Sequence, residues 1–480
     1  MWDKNPSYSE YQQLRVKQWD ATAIQTDYRT GFAGYYHARI NLVYQFFVQP
    51  GSRVIEIGCG KGDLLASLKP SYGVGIDFSF EMISRAKSRH SSLNFYLADA
   101  HEFRIKDQVF DYIILSDLLN DLWDVQVVLE QLISCCHDRT RIIINSYSRL
   151  WEIPLSIVKK LGLAKPVLNQ NWLTIEDINN LLVLSGFETV NRWQEILLPV
   201  KIPFLSSLCN RVLVRLWPFR ELALTNFLVA RKKPVVNSLQ KSPSISIVIP
   251  ARNEAGNISK IFETVPEFPS EPELIFVEGH SQDQTWLEIE RNIHENPSLN
   301  CVLLRQSGRG KGNAVREGFD RASGDILMIL DADLTVSFEY LTRFYDALSS
   351  GRGEFINGVR LVYPMGKHSM RFLNLIGNKF FSLIFSWILG QSIKDTLCGT
   401  KALWRSDYLR IAKNRHYFGD FDPFGDFDLI LGASKLRLKF VDMPIRYQER
   451  SYGTTNIKRW EHGWLLLRMM AFAIRKLKFL

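Results

Sequence analysis

A short apolar run that ends in two carboxylates is the feature that most constrains how this chain folds. Ile326 to Leu330 is a continuous apolar segment of strand length, the pattern of a parallel strand covered on both faces. Asp331 and Asp333 follow it directly. In open α/β sheets, ligands bind beyond the carboxyl ends of the strands. Two carboxylates in Asp-x-Asp spacing can share a hard divalent cation, so the stretch predicts either a cation site at a sheet edge or a plain acidic turn.

The residues before this stretch repeat the same arrangement. A buried strand begins at Ile245 and is stopped by Pro250, and a helical pattern starts at Ile258. Residues 274–278 form the next apolar strand, and residues 308–312, Gly-Arg-Gly-Lys-Gly, form a basic turn suited to approaching an anion. Alternating strands and helices with polar groups at each strand end predict a nucleotide-binding half-domain.

The first half of the chain shows a second series of this kind. A β-branched strand from Arg53 runs into a turn with three glycines that ends at Gly62, and a helical segment follows. Glycines let the backbone turn tightly and approach a ligand, and the helix N-terminus behind them offers free N–H groups. The next three strands end at Asp77, Asp99 and Asp117. A parallel sheet would bring these acids to one edge.

Residues 53 to about 145 resemble the class I S-adenosylmethionine-dependent methyltransferases. The resemblance implies that Asp77 binds the ribose, that Asp99 lies beside the adenine, and that Asp117 reaches the methyl-transfer site. A nicotinamide dinucleotide is the competing cofactor, but Asp63 stands where the dinucleotide pattern has a third Gly or Ala. The implied cofactor-binding residues are Glu56, Gly58, Gly60, Gly62, Asp77, Asp99 and Asp117. The methyl acceptor is not legible from the sequence.

Residues 244 to about 457 resemble the family 2 glycosyltransferases of GT-A fold, and within them the dolichol-phosphate mannose synthase-like group. Five motifs carry the resemblance: Pro250-Ala-Arg-Asn253-Glu254, Gly324-Asp325 with Asp331-Ala-Asp333, Gly358-Val-Arg360, Asp395-Thr-Leu-Cys398-Gly399, and Arg450-Ser-Tyr-Gly453. There are two departures from the family pattern. Gly279 follows Glu278 where a second acid is usual, and Thr335 stands where a further metal ligand is expected.

The glycosyltransferase resemblance implies a set of roles. Asp331 and Asp333 would bind Mg or Mn and, with Asp395, form the catalytic centre. Arg360 and Arg450 would hold an acceptor phosphate. The implied nucleotide-sugar-binding residues are Pro250, Asn253, Glu254, Glu278 and Lys311.

The nature of the acceptor decides whether a base is needed. A phosphate monoester is already anionic and needs no strong base, whereas a hydroxyl acceptor must lose its proton to a carboxylate. Asp395, Asp426 and Asp428 are the candidate bases for a hydroxyl acceptor. The sequence leaves both acceptors open.

Composition limits the partners and the compartment. The net charge of +9 over 480 residues includes no long basic block, which argues against nucleic-acid binding. Six cysteines without Cys-x-x-Cys spacing favour a reducing compartment. The N-terminus lacks the apolar core of a signal peptide, and no apolar run reaches the roughly 18 residues of a spanning helix. We expect a cytoplasmic protein, peripheral at the cytosolic face of a membrane.

Two amphipathic stretches bear on membrane contact. In residues 371–391 the polar residues Asn378, Ser382 and Ser386 fall on one helical stripe, a pattern that fits either a membrane interface or the inside of a larger core. Residues 458–480 carry six Lys or Arg against Glu461, so 6 − 1 = +5. A basic, aromatic-rich helix of this kind suits an anionic membrane surface, and packing on its own domain is the alternative.

The sequence therefore predicts two doubly wound α/β domains, one Rossmann-like and one GT-A, with C-terminal amphipathic helices. The expected divisions are residues 1–233, a linker at 234–244, 245–457, and a C-terminal helix at 458–480. The predicted function is a bifunctional methyltransferase and metal-dependent glycosyltransferase acting on a polyprenyl-phosphate or other lipid-linked acceptor. The alternatives are a soluble enzyme that glycosylates and methylates a small metabolite, and a glycosyltransferase with a regulatory S-adenosylmethionine-binding module.

Overall fold

The structure is a computed structural model that describes residues 8–25, 31–105, 108–160, 168, 170–234, 242–360, 362, 372–415, 426–448, 450, 452 and 459–478. The chain forms two compact units, the first extending to Lys233 and the second covering Pro234–Lys478. Each unit has its own sheet and its own buried core. The expected fold class, two α/β domains with parallel-rich sheets, is confirmed.

The first unit is built on a seven-stranded sheet in the order β3-β2-β1-β4-β5-β7-β6. The first five strands pair in parallel, and β7 lies antiparallel between β5 and β6. The strands are β1 (Arg53–Ile57), β2 (Tyr72–Asp77), β3 (Asn94–Leu97), β4 (Phe110–Ser116), β5 (Cys136–Tyr147), β6 (Phe187–Glu195) and β7 (Thr225–Lys232).

Helices cover both faces of this sheet. The helix over Ile175–Leu184 begins with a capping box, because the Thr174 side chain accepts from the Asp177 N–H at 3.1 Å and the Asp177 carboxylate accepts from the Thr174 N–H at 2.9 Å. Short 3-10 and π turns occupy much of residues 208–222. The α-helices are α1 (Tyr8–Gln25), α2 (Gly31–Phe47), α3 (Asp63–Ser67), α4 (Phe80–Arg89), α5 (Val125–Leu132), α6 (Glu152–Lys160), α7 (Ile175–Leu184) and α8 (Leu205–Ser207).

The second unit also has a seven-stranded sheet, in the order β10-β9-β8-β11-β13-β12-β14. Strands β8, β9, β10 and β11 are parallel, and β13 is antiparallel to both of its neighbours. The strands are β8 (Ile245–Ala251), β9 (Pro272–Glu278), β10 (Cys301–Arg305), β11 (Ile326–Ile329), β12 (Phe355–Val359), β13 (Lys401–Trp404) and β14 (Phe440–Pro444).

Helices on both faces bury the central strands of the second unit. All residues from Ile326 to Leu330 are fully buried, and each large apolar side chain removed from water contributes about 1.5–3 kcal/mol. The buried β11 therefore fixes where the Asp-x-Asp emerges. The helices are α9 (Ala255–Glu263), α10 (Thr285–Glu295), α11 (Lys311–Arg321), α12 (Tyr340–Ser349), α13 (Phe372–Leu389), α14 (Arg405–Lys413), α15 (Asp426–Lys435) and α16 (Arg459–Ala473), which continues as a π turn over Ile474–Lys478.

The polar stripe of α13 points into the protein. Asn378 Nδ2 donates to Asp395 Oδ1 at 2.9 Å, Ser382 Oγ donates to the carbonyl oxygen of Lys394 at 2.8 Å, and Ser386 Oγ exchanges hydrogen bonds with the backbone of Ile393. The stripe thus anchors the segment that carries Asp395. None of the helices in the described ranges has both the length and the apolarity to cross a membrane.

Candidate functional sites

The glycine-rich turn after β1 is built around left-handed backbone conformations. Gly58, Gly60 and Gly62 have φ values of +73°, +51° and +74°, which residues with a Cβ rarely adopt. A Cβ on Gly58 would lie 2.8 Å from the Leu118 side chain. The buried Glu56 carboxylate accepts from the Leu65 N–H at 3.1 Å, and burial raises its pKa well above the usual value. Glu56 therefore supports the helix start behind the turn.

The acid at the end of β2 joins this turn. Asp77 accepts from the Gly60 N–H and from the Ser79 N–H, each at 2.9 Å. Burial raises the pKa of Asp77 to about 6, although these backbone hydrogen bonds favour its ionised form. The predicted neighbours Gly60 and Asp77 are thus brought into direct contact at one sheet edge.

The third acid of the series, Asp99, is occupied by other side chains of the protein. Its Oδ2 accepts from Tyr8 Oη at 3.1 Å and from Gln12 Nε2 at 2.6 Å. Its Oδ1 accepts from the backbone N–H of His101 and contacts the ring Nδ1 at 2.7 Å. Burial alone would raise the pKa of Asp99, but the hydrogen bonds from His101 and Tyr8 lower it overall.

Helix α1 covers the pocket at this edge through polar contacts. Besides the two bonds to Asp99, Arg15 pairs with Asp121 with both side chains buried, and Asp20 accepts from Ser79 Oγ at 2.5 Å. Sequence reasoning missed these partners, because nothing local in the sequence connects α1 with acids about 60 to 110 positions away.

The residues that line the pocket beneath α1 suit an adenosine cofactor, but the pocket is smaller than such a cofactor needs. The lining includes Gly58, Asp77, Asp99 and Leu118, so it combines the glycine turn with two acids and apolar side chains. The cavity is about 30 Å³, whereas small-molecule pockets are typically about 300–1,000 Å³. The residues fit S-adenosylmethionine, provided that α1 moves outward to admit it.

Asp117 sits at the end of β4 in a network of buried hydroxyl and amide groups. Its backbone has φ +53°, and its Oδ1 accepts from Tyr36 Oη at 2.8 Å and from Asn145 Nδ2 at 2.5 Å. Tyr44 donates to Asn145 Oδ1 at 2.7 Å. Burial raises the pKa of Asp117 to about 7, more than the two hydrogen bonds lower it. The sequence singled out Asp117 but not its two partners, Tyr36 and Asn145.

The raised pKa of Asp117 predicts a pH-dependent stability. An unfolded Asp ionises near pH 3.9, so between about pH 4 and 7 the folded state binds more protons than the unfolded state. Stability therefore falls as pH rises through that window. In Asp117→Asn the side chain keeps its acceptor oxygen and loses the titration. Urea unfolding across about pH 4–8 should show the variant gaining on the wild type up to about pH 7 and then levelling off. A stability difference independent of pH would contradict the assignment.

Ala substitutions at Gly62 and Gly51, which both have a positive φ, distinguish backbone strain from steric crowding in the glycine turn. A Cβ at Gly62 would lie 2.5 Å from the Phe95 ring, whereas at Gly51, with φ +79°, a Cβ would meet nothing within 4 Å. Both Ala substitutions carry a left-handed cost of about 1–2 kcal/mol. Gly62→Ala should lose about 1–3 kcal/mol more from overpacking, together with S-adenosylmethionine affinity. Equal thermal stability and equal cofactor affinity in the two variants would rule out this role for the turn.

In the second unit, the turn after β8 is tied to the turn after β9. Asn253 has φ +58°, its N–H donates to Ser281 Oγ at 3.0 Å, and its Oδ1 accepts from the Gln282 N–H at 2.8 Å. The buried Glu278 accepts from the Ser281 N–H at 2.5 Å. Pro250, which precedes this turn in β8, is half-buried. The predicted donor-binding residues thus lie along one edge of the sheet.

Asp331 is paired with the cation at the start of α11. Lys311 Nζ lies 2.5 Å from Asp331 Oδ1. Burial alone would raise the pKa of Asp331, but the charge of Lys311, helped by Lys401 and Arg360, lowers it. Gly399 packs directly on the pair, and a Cβ there would fall on the Lys311 ammonium and the Asp331 carboxylate. The lysine of the basic turn and the predicted Asp-x-Asp therefore meet as one site.

Asp333 is held by a hydroxyl on one oxygen and by an arginine on the other. Thr335 donates to Asp333 Oδ1 from its N–H at 3.1 Å and from its Oγ1 at 2.8 Å. Arg450 Nη2 lies 2.5 Å from Asp333 Oδ2, and Nη1 lies 3.5 Å from Glu254 Oε1. Burial raises the pKa of Glu254 to about 7. Thr335 thus orients Asp333, and Arg450 bridges two acids of the donor edge.

The donor set at this edge suits Mg or Mn only in part as it stands. Among the described residues, no three His, Cys, Asp or Glu side chains gather as a metal site. Asp331 and Asp333 supply two hard carboxylates, each now neutralised by a basic side chain. Hard oxygen ligands are those that Mg prefers, and phosphate oxygens commonly complete its coordination. The residues fit such an ion once Arg450 leaves Asp333.

Asp395 forms a buried ion pair with Arg360. Arg360 Nε lies 2.7 Å from Asp395 Oδ2, and Nη2 lies 2.9 Å from Oδ1. The N–H groups of Arg360 and Leu397 and the amide of Asn378 also donate to this carboxylate. Burial opposes ionisation, yet Arg360 lowers the pKa of Asp395 overall. A carboxylate with these donors accepts a proton poorly.

The other two candidate bases differ in what is described. Asp428 Oδ2 accepts from Arg415 Nε at 2.8 Å, so it also carries a paired cation. The Asp426 side chain lies outside the described residues, as do residues 453–456, where the motif that begins at Arg450 ends. Arg450 was expected at the acceptor phosphate, and the structure places it on Asp333 and Glu254 instead.

Comparison with known protein families matches each unit separately. A family model described as a methyltransferase domain matches residues 49–197. The model of glycosyl transferase family 2 matches residues 246–410. The chain is a fusion of a methyltransferase domain with a family 2 glycosyltransferase domain. The resemblance drawn from the sequence motifs is confirmed for both halves.

Curated relatives match the glycosyltransferase half. Glycosyltransferase AglJ of Haloferax volcanii is 28% identical over 227 residues, covering 46% of this chain and 69% of the relative. Hexosyltransferase Agl6 of low-salt glycan biosynthesis, from the same organism, is 25% identical, covering 48% and 53%. Dolichyl-phosphate beta-glucosyltransferase of Saccharomyces cerevisiae is 28% identical, covering 46% and 72%. This chain thus spans from about half to about seven tenths of these relatives.

Proposed function

We propose that the glycosyltransferase domain moves a sugar from a nucleotide donor to a polyprenyl phosphate at the cytosolic face of a membrane. The observation that carries the proposal is the ion pair of Asp395 with Arg360. It takes a candidate base out of use while placing an arginine beside it. A relative whose name states a dolichyl-phosphate acceptor adds support. A phosphate acceptor needs no strong base, so this site chemistry favours it over a hydroxyl.

The donor end of the reaction rests on Asp331 and Asp333. These carboxylates would hold Mg or Mn, which when bound neutralises charge that develops on the leaving diphosphate. Lys311 contributes a compact positive charge beside the same carboxylates. Thr335 keeps Asp333 in one orientation. Arg450, released from Asp333, becomes available for the phosphates of the bound substrates.

The acceptor end rests on Arg360. The Asp395 carboxylate accepts from Nε and Nη2 of Arg360. Among the contacts of the described residues, Nη1 is therefore the guanidinium nitrogen that can face an acceptor phosphate. The ring of Tyr447 lies 5.2 Å from the guanidinium carbon and limits its movement. Arg360 can then orient the phosphate oxygen that attacks the sugar, with Asp395 fixing the plane of the guanidinium.

We also propose that the methyltransferase domain is active rather than only a sensor of its cofactor. The glycine turn, Asp77 and Asp99 would bind S-adenosylmethionine beneath α1. The cofactor supplies an activated methyl group. Asp117, with its pKa near 7, can take the proton of a neutral acceptor, and Tyr36 and Asn145 hold its carboxylate in place.

Membrane contact of the second unit is supported by the outer faces of α13 and α16. Leu383 is 73% exposed and Trp464 is 66% exposed, and Phe380 and Leu467 are also exposed. The opposite face of α16 packs inward through Leu466, Met469 and Ala473. Helix α16 therefore combines the two expected arrangements. One face packs on its own domain, and the other suits a lipid surface.

A methyl-transfer assay tests whether the methyltransferase domain is active. Purified protein is incubated with S-adenosylmethionine labelled in its methyl group and with either lipid extracts or small sugars, and Asp77→Asn serves as the inactive control. Label in an acceptor, lost in the control, would support an active methyltransferase. Cofactor binding by calorimetry without transfer to any acceptor would instead favour a regulatory module.

A further inference from the structure

The methyltransferase domain carries a large apolar surface of its own. Two segments form it, residues 150–157 and residues 202–222, and Trp151 Nε1 joins them by donating to the carbonyl oxygen of Leu222 at 3.0 Å. Phe204 is 93% exposed and Trp217 is 75% exposed. We refer to this region as the apolar surface. Its exposed members are Leu150, Ile153, Ile157, Ile202, Phe204, Leu205, Leu208, Leu216, Trp217, Phe219 and Leu222.

Buried polar groups hold the apolar surface in position from below. Asn210 is fully buried, its Oδ1 accepts from the N–H groups of Leu197 and Leu198 at 2.8 and 2.9 Å, and its Nδ2 donates to the Leu198 carbonyl oxygen at 2.7 Å. Arg215 pairs with the buried Glu195. The segment thus rests on the hydrogen bonds of Asn210 and on the ion pair of Arg215, and its apolar side chains project outward from this support.

The apolar surface is connected to the methyl-transfer site through α2. Asn210 Nδ2 also donates to Tyr35 Oη at 3.1 Å, and the next residue, Tyr36, donates to Asp117 at 2.8 Å. Consecutive residues of one helix therefore contact the apolar surface and the proposed proton acceptor. The buried base of the apolar surface is thus joined to Asp117 through α2.

The charge around the apolar surface fits an anionic partner. Residues 149–157 and 197–222 together contain five Lys or Arg and two Glu, so 5 − 2 = +3. Both acids, Glu152 and Glu221, are exposed, and Glu221 pairs with Arg220 at 2.8 Å. Arg215 is buried in its ion pair, and Lys201, Arg211 and Arg220 are exposed. Many exposed apolar side chains on two joined segments mark an interaction site. Protruding aromatic and aliphatic side chains among basic residues are typical of proteins that lie on anionic bilayers.

We propose that the apolar surface docks on an anionic lipid bilayer, so that the methyl acceptor is a lipid-linked molecule presented beside Asp117. The lipid docking stands by itself, and the acceptor class rests on the proposed methyltransferase activity. Each domain then meets the bilayer through side chains of its own. An isolated sugar or metabolite would gain nothing from this surface.

Vesicle partition of the full chain tests the proposal. Phe204→Ser with Ile153→Ser removes one exposed apolar side chain from each segment. The matched control, Tyr96→Ser with Leu287→Ser, removes two exposed side chains from elsewhere, 51% and 58% exposed. Vesicles contain phosphatidylcholine with or without phosphatidylglycerol. The test variant should lose about tenfold or more in partition to the anionic vesicles, because each inserted side chain is worth about 1–2 kcal/mol, while the control stays near wild type.

Three results would overturn the proposal. Equal partition of test and control variants would show that the apolar surface does not touch lipid. Loss of a dimer in light scattering, with partition unchanged, would assign the surface to a second copy of the chain. Wild-type partition that ignores phosphatidylglycerol would remove the charge argument. S-adenosylmethionine affinity, measured on each variant, confirms folding, and failure of methyl transfer would leave the partition result intact.

Discussion

Asp333→Asn should abolish most sugar transfer while leaving the protein folded. The substitution keeps the side-chain shape and its bond to Thr335 but removes the charge that would hold the metal ion. Removing one preorganised electrostatic contact at developing charge typically costs about 100- to 1,000-fold in rate. The same change removes the charge that pairs with Arg450 Nη2 and leaves Glu254 beside Arg450. We therefore expect a large fall in turnover together with weaker dependence on Mn or Mg, measured as initial rates over a metal titration.

A second carboxylate provides the control for that experiment. Asp346 is exposed on α12 of the same domain, and Asp346→Asn changes the net charge by the same amount. This variant should keep wild-type turnover and metal dependence. If Asp333→Asn retained more than about a tenth of wild-type turnover, the expected 100-fold loss would not hold and Asp333 would not be a metal ligand.

Gly399→Ala should damage the same centre by crowding. The added methyl group would fall on the Lys311–Asp331 pair. The backbone of the Asp395–Gly399 segment is itself held, because the Asp395 carbonyl oxygen accepts from Asn357 Nδ2 at 2.9 Å. Either the pair separates or the segment shifts, and a displacement of about 1 Å near reacting groups costs on the order of 100-fold in rate. We expect turnover to fall by about that factor, with about 1–3 kcal/mol lost in stability from overpacking.

A helical glycine in the same domain gives the matched control. A Cβ at Gly377 in α13 would meet nothing within 4 Å, so Gly377→Ala adds the same methyl group without a clash. It should leave turnover unchanged and raise stability by up to about 1 kcal/mol, because Ala favours helix more than Gly. Similar kinetics for the two variants would show that the contact of Gly399 with the pair has no part in catalysis.

The strand ends were the part of the site that the sequence could supply. A fully apolar run such as Ile326–Leu330 is decided by burial on both faces, so its end, and with it Asp331, is fixed locally. The same holds for Asp77 and Asp117 after β2 and β4. The capping box at Thr174 is also a local pattern. Such features depend on neighbours in sequence, and a single sequence carries that information.

The partners of these acids came from distant elements and were not predictable. Asp99 is occupied by Tyr8 and Gln12 of α1, and Asp395 by Arg360, at separations of 91, 87 and 35 residues. Only packing of the whole domain decides such pairings. They bear on the chemistry, since a carboxylate paired with Arg360 accepts a proton poorly.

The orientation of the polar stripe of α13 was also not predictable from the sequence. Its period was clear in the sequence, but the direction in which Asn378, Ser382 and Ser386 point depends on what the helix packs against. The structure turns them toward residues 393–395 and leaves Phe380 and Leu383 exposed. An amphipathic pattern therefore identified the helix without telling which face meets the protein.

Sugar transfer to a short-chain polyprenyl phosphate tests the proposed acceptor of the glycosyltransferase domain directly. Purified protein is given Mg or Mn and each of a panel of labelled nucleotide sugars, with and without the polyprenyl phosphate, and the lipid product is extracted and counted. We expect metal-dependent transfer to the lipid phosphate from one donor. This transfer should be lost in Asp333→Asn and retained in Asp346→Asn. Turnover that ignores the polyprenyl phosphate would contradict it and would direct the search to hydroxyl acceptors, with Asp426 and Asp428 as the bases to examine.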